Sequence, residues 1–137
     1  MKTNSIILAC IQVIIAIGAI PAGLGFLIDT SGIVMGASTA MLANSPFETF
    51  LIPGLFLFLV NGIGNAAGSL LSFRNHRIAG NAGLLLGVIL CLWILIQVYW
   101  IGLSSFLQPL FLVVGLAEVI LSLRQIKNTL PVENDKN

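Results

Sequence analysis

The chain has 137 residues, of which 58% are hydrophobic and 8% charged, with a formal net charge of +1 and a mean hydropathy of +1.06. That composition lacks the polar surface a soluble globule of this size requires, so a bilayer is the expected solvent. No nucleic-acid partner is expected.

The six basic residues fall in three clusters, Lys2, then Arg74 and Arg77, then Arg124, Lys127 and Lys136, separated by long apolar runs. Four of these runs, near residues 5–28, 46–73, 78–100 and 103–124, approach or exceed the roughly 20 residues that a helix needs to cross about 30 Å of hydrocarbon. With the amino terminus in the cytoplasm, every basic residue comes out on the cytoplasmic side, as the positive-inside rule demands. The reading is therefore an all-α integral membrane four-helix bundle, antiparallel, with amino and carboxyl termini cytoplasmic. Residues 1–128 form one transmembrane domain and 129–137 a short polar tail. The expected location is a cell membrane, a bacterial inner membrane, crossed several times.

The first run stays apolar past Ala16, Gly18 and Ala22 to Ile28, longer than the core of a signal peptide, so it is read as a retained helix. Gln12, Ala16, Ala19 and Gly23 share an arc of about 60° on it. Cys10 and Cys91 lie in separate apolar runs with no C-x-x-C, which predicts two buried small apolar residues and no thiol chemistry.

The connection from Asp29 to Pro46 is too apolar for a solvated loop, with Ile33, Val34, Met35, Met41 and Leu42 in it. It predicts either a short interfacial helix near 37–43 or a loop dipping into the headgroups. Ser45-Pro46-Phe47-Glu48 matches a capping box, with Ser45 as cap, proline first in the helix and Glu48 reaching back. Phe47, Phe50, Tyr99 and Trp100 gather at the outer boundary, where aromatic rings favour the headgroup layer. Pro21, Pro53 and Pro109 are expected to interrupt their segments near the outer end.

The second run contains NGIGNAAGSLLS, residues 61–72. At 100° per residue Asn61, Asn65, Gly68 and Ser72 fall within about 60°, a stripe that should face protein. Gly64 and Gly68 let a neighbouring backbone approach. The tight basic turn RNHR, 74–77, follows, with His76 read as solvated. The third run offers Gly80, Gly83, Gly87 and Cys91 on one side, with Asn81 and Gln97 pointing elsewhere. In the fourth, Gln108, Gly115, Glu118 and Ser122 share about 80°. An acid there costs roughly 2.5–3.5 kcal/mol on insertion scales, so Glu118 should face inward. Asn65 and Asn81 are its expected partners, with Arg74 or Arg77 as snorkelling alternatives.

The candidate sites follow. Glu118, Asn61, Asn65, Asn81 and Gln12 form a polar seam joining segments two and four, or a proton site. Gln97, Gln108 and Asp29 are polar anchors of an outer pocket. There is no H-E-x-x-H, Walker loop or G-x-S-x-G, so no enzyme activity, catalytic residue, metal or cofactor is expected. The leading reading is a membrane protein that works by interaction, as a homo-oligomer or with a membrane protein partner. Binding or carriage of a hydrophobic small molecule or lipid is the alternative, and proton-coupled transport through Glu118 is a third. Small multidrug resistance transporters carry their glutamate in the first segment, where this chain has Gln12. The stretches LIDTSGIVMG, SPFETFLIPGL and IGLSSFLQP have the look of family motifs, and the glycine-rich four-helix plan resembles the DoxX-like bacterial inner-membrane proteins. That resemblance implies the plan alone and carries over no functional residue.

Overall fold

The computed structural model describes residues 2–103 and 105–130. Most of the expected polar tail, residues 131–137, lies outside the described residues. Four long helices account for most of the chain: α1 (Lys2–Ile28), α2 (Leu51–Phe73), α3 (Ala79–Ile101) and α4 (Leu107–Thr129). Each is long and apolar enough to cross a membrane. Among the described residues there is no strand.

α2 is composite. It starts as an α-helix over Leu51–Phe56, widens into a π-helix over Leu57–Gly64 and returns to α-helical winding over Asn65–Phe73. A π segment takes more residues per turn, so the 100° step fails across 57–64. The polar stripe still turns inward, because its lower half, from Asn65 to Ser72, lies in the regular part.

The helices form two closely packed pairs, α1 with α2 and α3 with α4, and α1 also packs along α4. α2 lies lightly against α3, while the α2 and α4 backbones do not approach each other at all. Glycine sets both tight seams. A side chain at Gly23 would meet the Phe58 backbone at 2.7 Å, and one at Gly87 would meet the Val119 amide at 3.0 Å and the Gly115 carbonyl at 3.2 Å. Neither neighbour is a flexible side-chain tip that could step aside. Aliphatic side chains such as Ile17, Leu85, Leu95, Val113 and Ile120 point outward all round the bundle.

Several local expectations are corrected. The second helix begins at Leu51, not at Pro46, and Phe50 is its cap residue, with no side-chain cap. Ser45 instead donates to the Leu42 carbonyl at 2.9 Å and accepts from the Phe47 amide at 3.2 Å, and Glu48 is exposed. Tertiary contacts override the capping box: Phe50 stacks on Phe26 at 4.7 Å, and its amide donates to the Thr30 carbonyl at 2.8 Å. Residues 37–43 hold a single 3-10 turn, Thr39–Leu42, capped by Ser38. Among the described residues no proline interrupts a helix: α1 runs through Pro21, while Pro53 and Pro109 occupy first turns, where a missing N–H costs nothing. Cys10 is exposed on the outward face and Cys91 is half-buried.

Gly87→Leu is expected to force α3 from α4 and lower stability in detergent by about 1–3 kcal/mol, the usual overpacking cost. Leu85→Ala on the outward face should leave the melting temperature within a degree or so of wild type. Calorimetry or fluorescence melting of the two purified variants checks this, and equal melting would show that the α3–α4 seam is not tight.

Candidate functional site: a polar core beneath an apolar cavity

The interior has two parts. At its heart lie Gln12, Asn61, Asn65, Ser72, Glu118 and Ser122, all with 0% of their surface exposed. Gln12 joins them. Its Oε1 accepts from the Ser72 hydroxyl of α2 at 2.8 Å. Its Nε2 occupies the notch left by two glycines, 2.9 Å from where a Gly68 side chain would begin and 3.3 Å from that of Gly83. The Ser122 hydroxyl of α4 fills the same notch at Gly83. Gln12 is also the polar neighbour of Glu118, although neither carboxyl oxygen finds hydrogen-bond geometry with a partner among the described residues.

Segments two and four therefore do not meet along a shared seam as expected: α1 supplies the side chain between them. Asn65 donates to the Asn61 carbonyl one turn earlier, at 2.9 Å, where the π winding ends. Asn81 is exposed and lies outside the cluster, because it falls next to Gly80 and off the face that Gly80, Gly83 and Gly87 turn inward. Arg74 and Arg77 are exposed in the turn.

A second network was not anticipated. Gln125 of α4, fully buried, donates to Asn75 Oδ1 at 2.7 Å and accepts from Asn4 Nδ2 at 3.0 Å, while the Ser5 hydroxyl donates to the Ser72 carbonyl. The signal was present: Gln125 continues the stripe of Glu118 and Ser122 at helical spacing. Asn75 also takes φ 50°, a left-handed turn conformation that asparagine tolerates.

Above the polar core, toward the 29–50 connection, opens a cavity of about 590 Å³. α1 contributes Ile15, Ala19, Ala22 and Phe26, α3 contributes Leu90, Trp93, Gln97 and Trp100, and α4 contributes Gln108 and Phe111. The connection covers it with Met35, Met41, Leu42, Phe47 and Phe50, and Phe47 meets Trp100 edge to face at 5.6 Å. Asn61 of α2 lies at the end nearest the polar core. No charged residue is among its described lining. Two of the three expected outer anchors come together here: Gln108 Nε2 donates to Gln97 Oε1 at 3.4 Å. Glu118 does not line the cavity.

Asp29, the third, does not line it either. Its carboxylate turns back on its own loop, accepting from the Ser31 hydroxyl at 2.6 Å, the Ser31 amide at 3.1 Å and the Val34 amide at 3.2 Å. This fixes the first turn of the cover, where Gly32 and Gly36 take φ 82° and 73°, open to glycine at little cost. A side chain at Gly32 would also strike the Phe50 ring at 2.7 Å.

No family model, curated protein or solved structure matches this chain. Among the described residues no group of three or more histidine, cysteine, aspartate or glutamate side chains is placed to hold a metal.

The Ser31 hydroxyl, and after it the Val34 amide, hold the Asp29 carboxyl below its ordinary value of 3.8. A lowered folded-state value means that its contribution is complete above the ordinary aspartate range and is lost as pH falls through the lowered value. Protection of the Ser31 and Val34 amides from hydrogen exchange, corrected for intrinsic rates, should hold at about pH 5 and drop only below the usual aspartate range. Asp29→Ala should lack that protection throughout. Identical protection in the variant would show that the carboxylate does not order the cover.

Proposed function

We propose that this protein is a membrane-embedded binding protein for a hydrophobic small molecule or lipid, held in a cavity open toward the non-cytoplasmic side. The supporting observation is the cavity itself, about 590 Å³ inside a chain of this size, walled by aromatic and aliphatic side chains and carrying a few amides. Ligand sites are typically concave, mostly apolar and of this size, with a few polar groups to fix orientation.

The orientation belongs to the same reading. The helices run antiparallel with both termini in the cytoplasm, as the basic residues favour. The 29–50 connection and the cavity mouth then face outward, and the location is the inner membrane of a bacterium. The DoxX-like resemblance is retained for the four-helix plan alone. The chain binds and carries out no chemistry.

This reading ranks above action through a protein partner because the exposed apolar side chains among the described residues, mostly aliphatic with a few aromatics such as Tyr99 and Phe106, form a belt that lipid satisfies, whereas the built feature is internal. It also ranks above proton-coupled transport through Glu118, since that side chain is fully buried and lies apart from the cavity lining.

Filling the cavity tests the proposal. Protein purified in mild detergent should retain an apolar molecule detectable by native mass spectrometry and extraction. Ala22→Trp, which places a large ring in the cavity, should reduce the retained amount about tenfold or more, while Leu85→Trp on the outward face should leave it unchanged. Wild-type protein that retains nothing, or equal retention in both variants, would contradict the proposal.

A further inference from the structure

The polar groups of the cavity are not equally satisfied. Near the mouth, Gln97 and Gln108 bond to each other, and Gln108 Oε1 accepts from the Ser105 amide at 3.4 Å. At the inner end the case is opposite. Asn61 is fully buried, and its side-chain Nδ2 and Oδ1 both lack a hydrogen-bond partner among the described residues. Trp93 Nε1 is buried without a partner too. Both residues line the cavity, and the Trp93 ring stacks on Phe56 at 4.5 Å, about one π turn from Asn61. Buried polar groups in folded proteins are paired with few exceptions. Gln12, Asn65, Glu118 and Ser122 in the core below also carry unpaired atoms, but of the residues with such atoms only Asn61 and Trp93 line the cavity, so their three atoms mark where a ligand's polar atoms belong.

We propose that Asn61 and Trp93 form a head-group subsite for a neutral amphiphile with a carbonyl or hydroxyl oxygen at one end of an apolar body. This rests on the binding reading above and adds the ligand's class and direction. Indole is a donor only, and an asparagine amide both donates and accepts. The inward end of the ligand must therefore carry an acceptor oxygen for Trp93 Nε1–H and Asn61 Nδ2–H, and a hydroxyl would also donate to Asn61 Oδ1. The absence of any charge in the described lining disfavours carboxylates, ammonium groups and phosphate esters, whose buried charge would go unpaired. A plain hydrocarbon would leave all three atoms unpaired. The polar end thus sits deep and the apolar body points toward the mouth, the reverse of a phospholipid in the surrounding leaflet.

The test uses the protein's own fluorescence, because its two tryptophans, Trp93 and Trp100, both line the cavity. In Trp100→Phe, Trp93 is the sole emitter. The protein in lipid nanodiscs is titrated at matched membrane mole fraction with 1-dodecanol, 2-dodecanone, dodecane and dodecanoate. The alcohol and the ketone should shift Trp93 emission saturably, with affinities about tenfold above those of dodecane and dodecanoate. Adding Asn61→Leu should bring dodecane to parity with them. Should that variant fail to fold, Trp93→Phe, read through Trp100, should weaken the ketone about three- to tenfold and leave dodecane unchanged. Equal binding of dodecane and the oxygenated probes by the wild-type cavity would overturn the subsite while leaving the binding reading standing. No saturable response to any probe would overturn both.

Discussion

The amide of Gln12 sits where all four long helices converge, bonded to Ser72 of α2, lodged between Gly68 of α2 and Gly83 of α3, and beside Glu118 of α4. Inside an apolar bundle an amide that left this position would have to give up its hydrogen bond with nothing in hydrocarbon to replace it. The glycines are the other half of the constraint. Gly68 and Gly83 leave the space that the amide fills, so the interior at this level is specified by polar fit more than by aliphatic packing. The two tight glycine seams then follow: α1 can approach α2, and α3 can approach α4, only where a backbone meets no Cβ.

The same constraint divides the interior into a closed half and an open half. On the 74–78 side, Asn4, Ser5, Gln125 and Asn75 tie the start of α1 and the end of α4 to the intervening turn and to α2. On the 29–50 side, aromatic rings from the connection pack onto α1 and α3, and a loop ordered by Asp29 covers the space between the helices. Asn61 stands at the boundary, within the π-helical stretch. A π segment inserts extra backbone into a helix and often marks a functional position. Here it turns an asparagine with unpaired amide atoms toward the cavity.

Much of this was legible in the sequence. Four apolar runs gave the helices, and helical spacing placed Gln12, Asn61, Asn65, Glu118 and Ser122 on inward faces. Gln125 continues one of those stripes at helical spacing. What escaped were the features decided by tertiary contact. The Ser45–Glu48 pattern fits a capping box locally, but Phe50 is drawn onto Phe26 and delays the helix to Leu51. Asp29 was expected as a pocket anchor because it follows directly on α1, and the loop's own Ser31 hydroxyl and amides claim it instead. Asn81 shares a depth with the polar core but lies off the glycine face, so it points outward. The π winding of 57–64 and the cavity have no sequence signature of their own, since both depend on how the helices sit against one another.

The position of Gln12 is the point at which this account is most directly tested, through a double-mutant cycle between Gln12→Leu and Ser72→Ala, read by reversible unfolding in mixed micelles. Coupling of roughly 0.6 kcal/mol, the average for hydrogen bonds between membrane helices, and at most about 1.7 kcal/mol is predicted, together with a loss in the Gln12 variant well above that of Asn81→Leu. Purely additive effects, with Gln12→Leu no more damaging than Asn81→Leu, would contradict the claim that this amide holds the four helices in register.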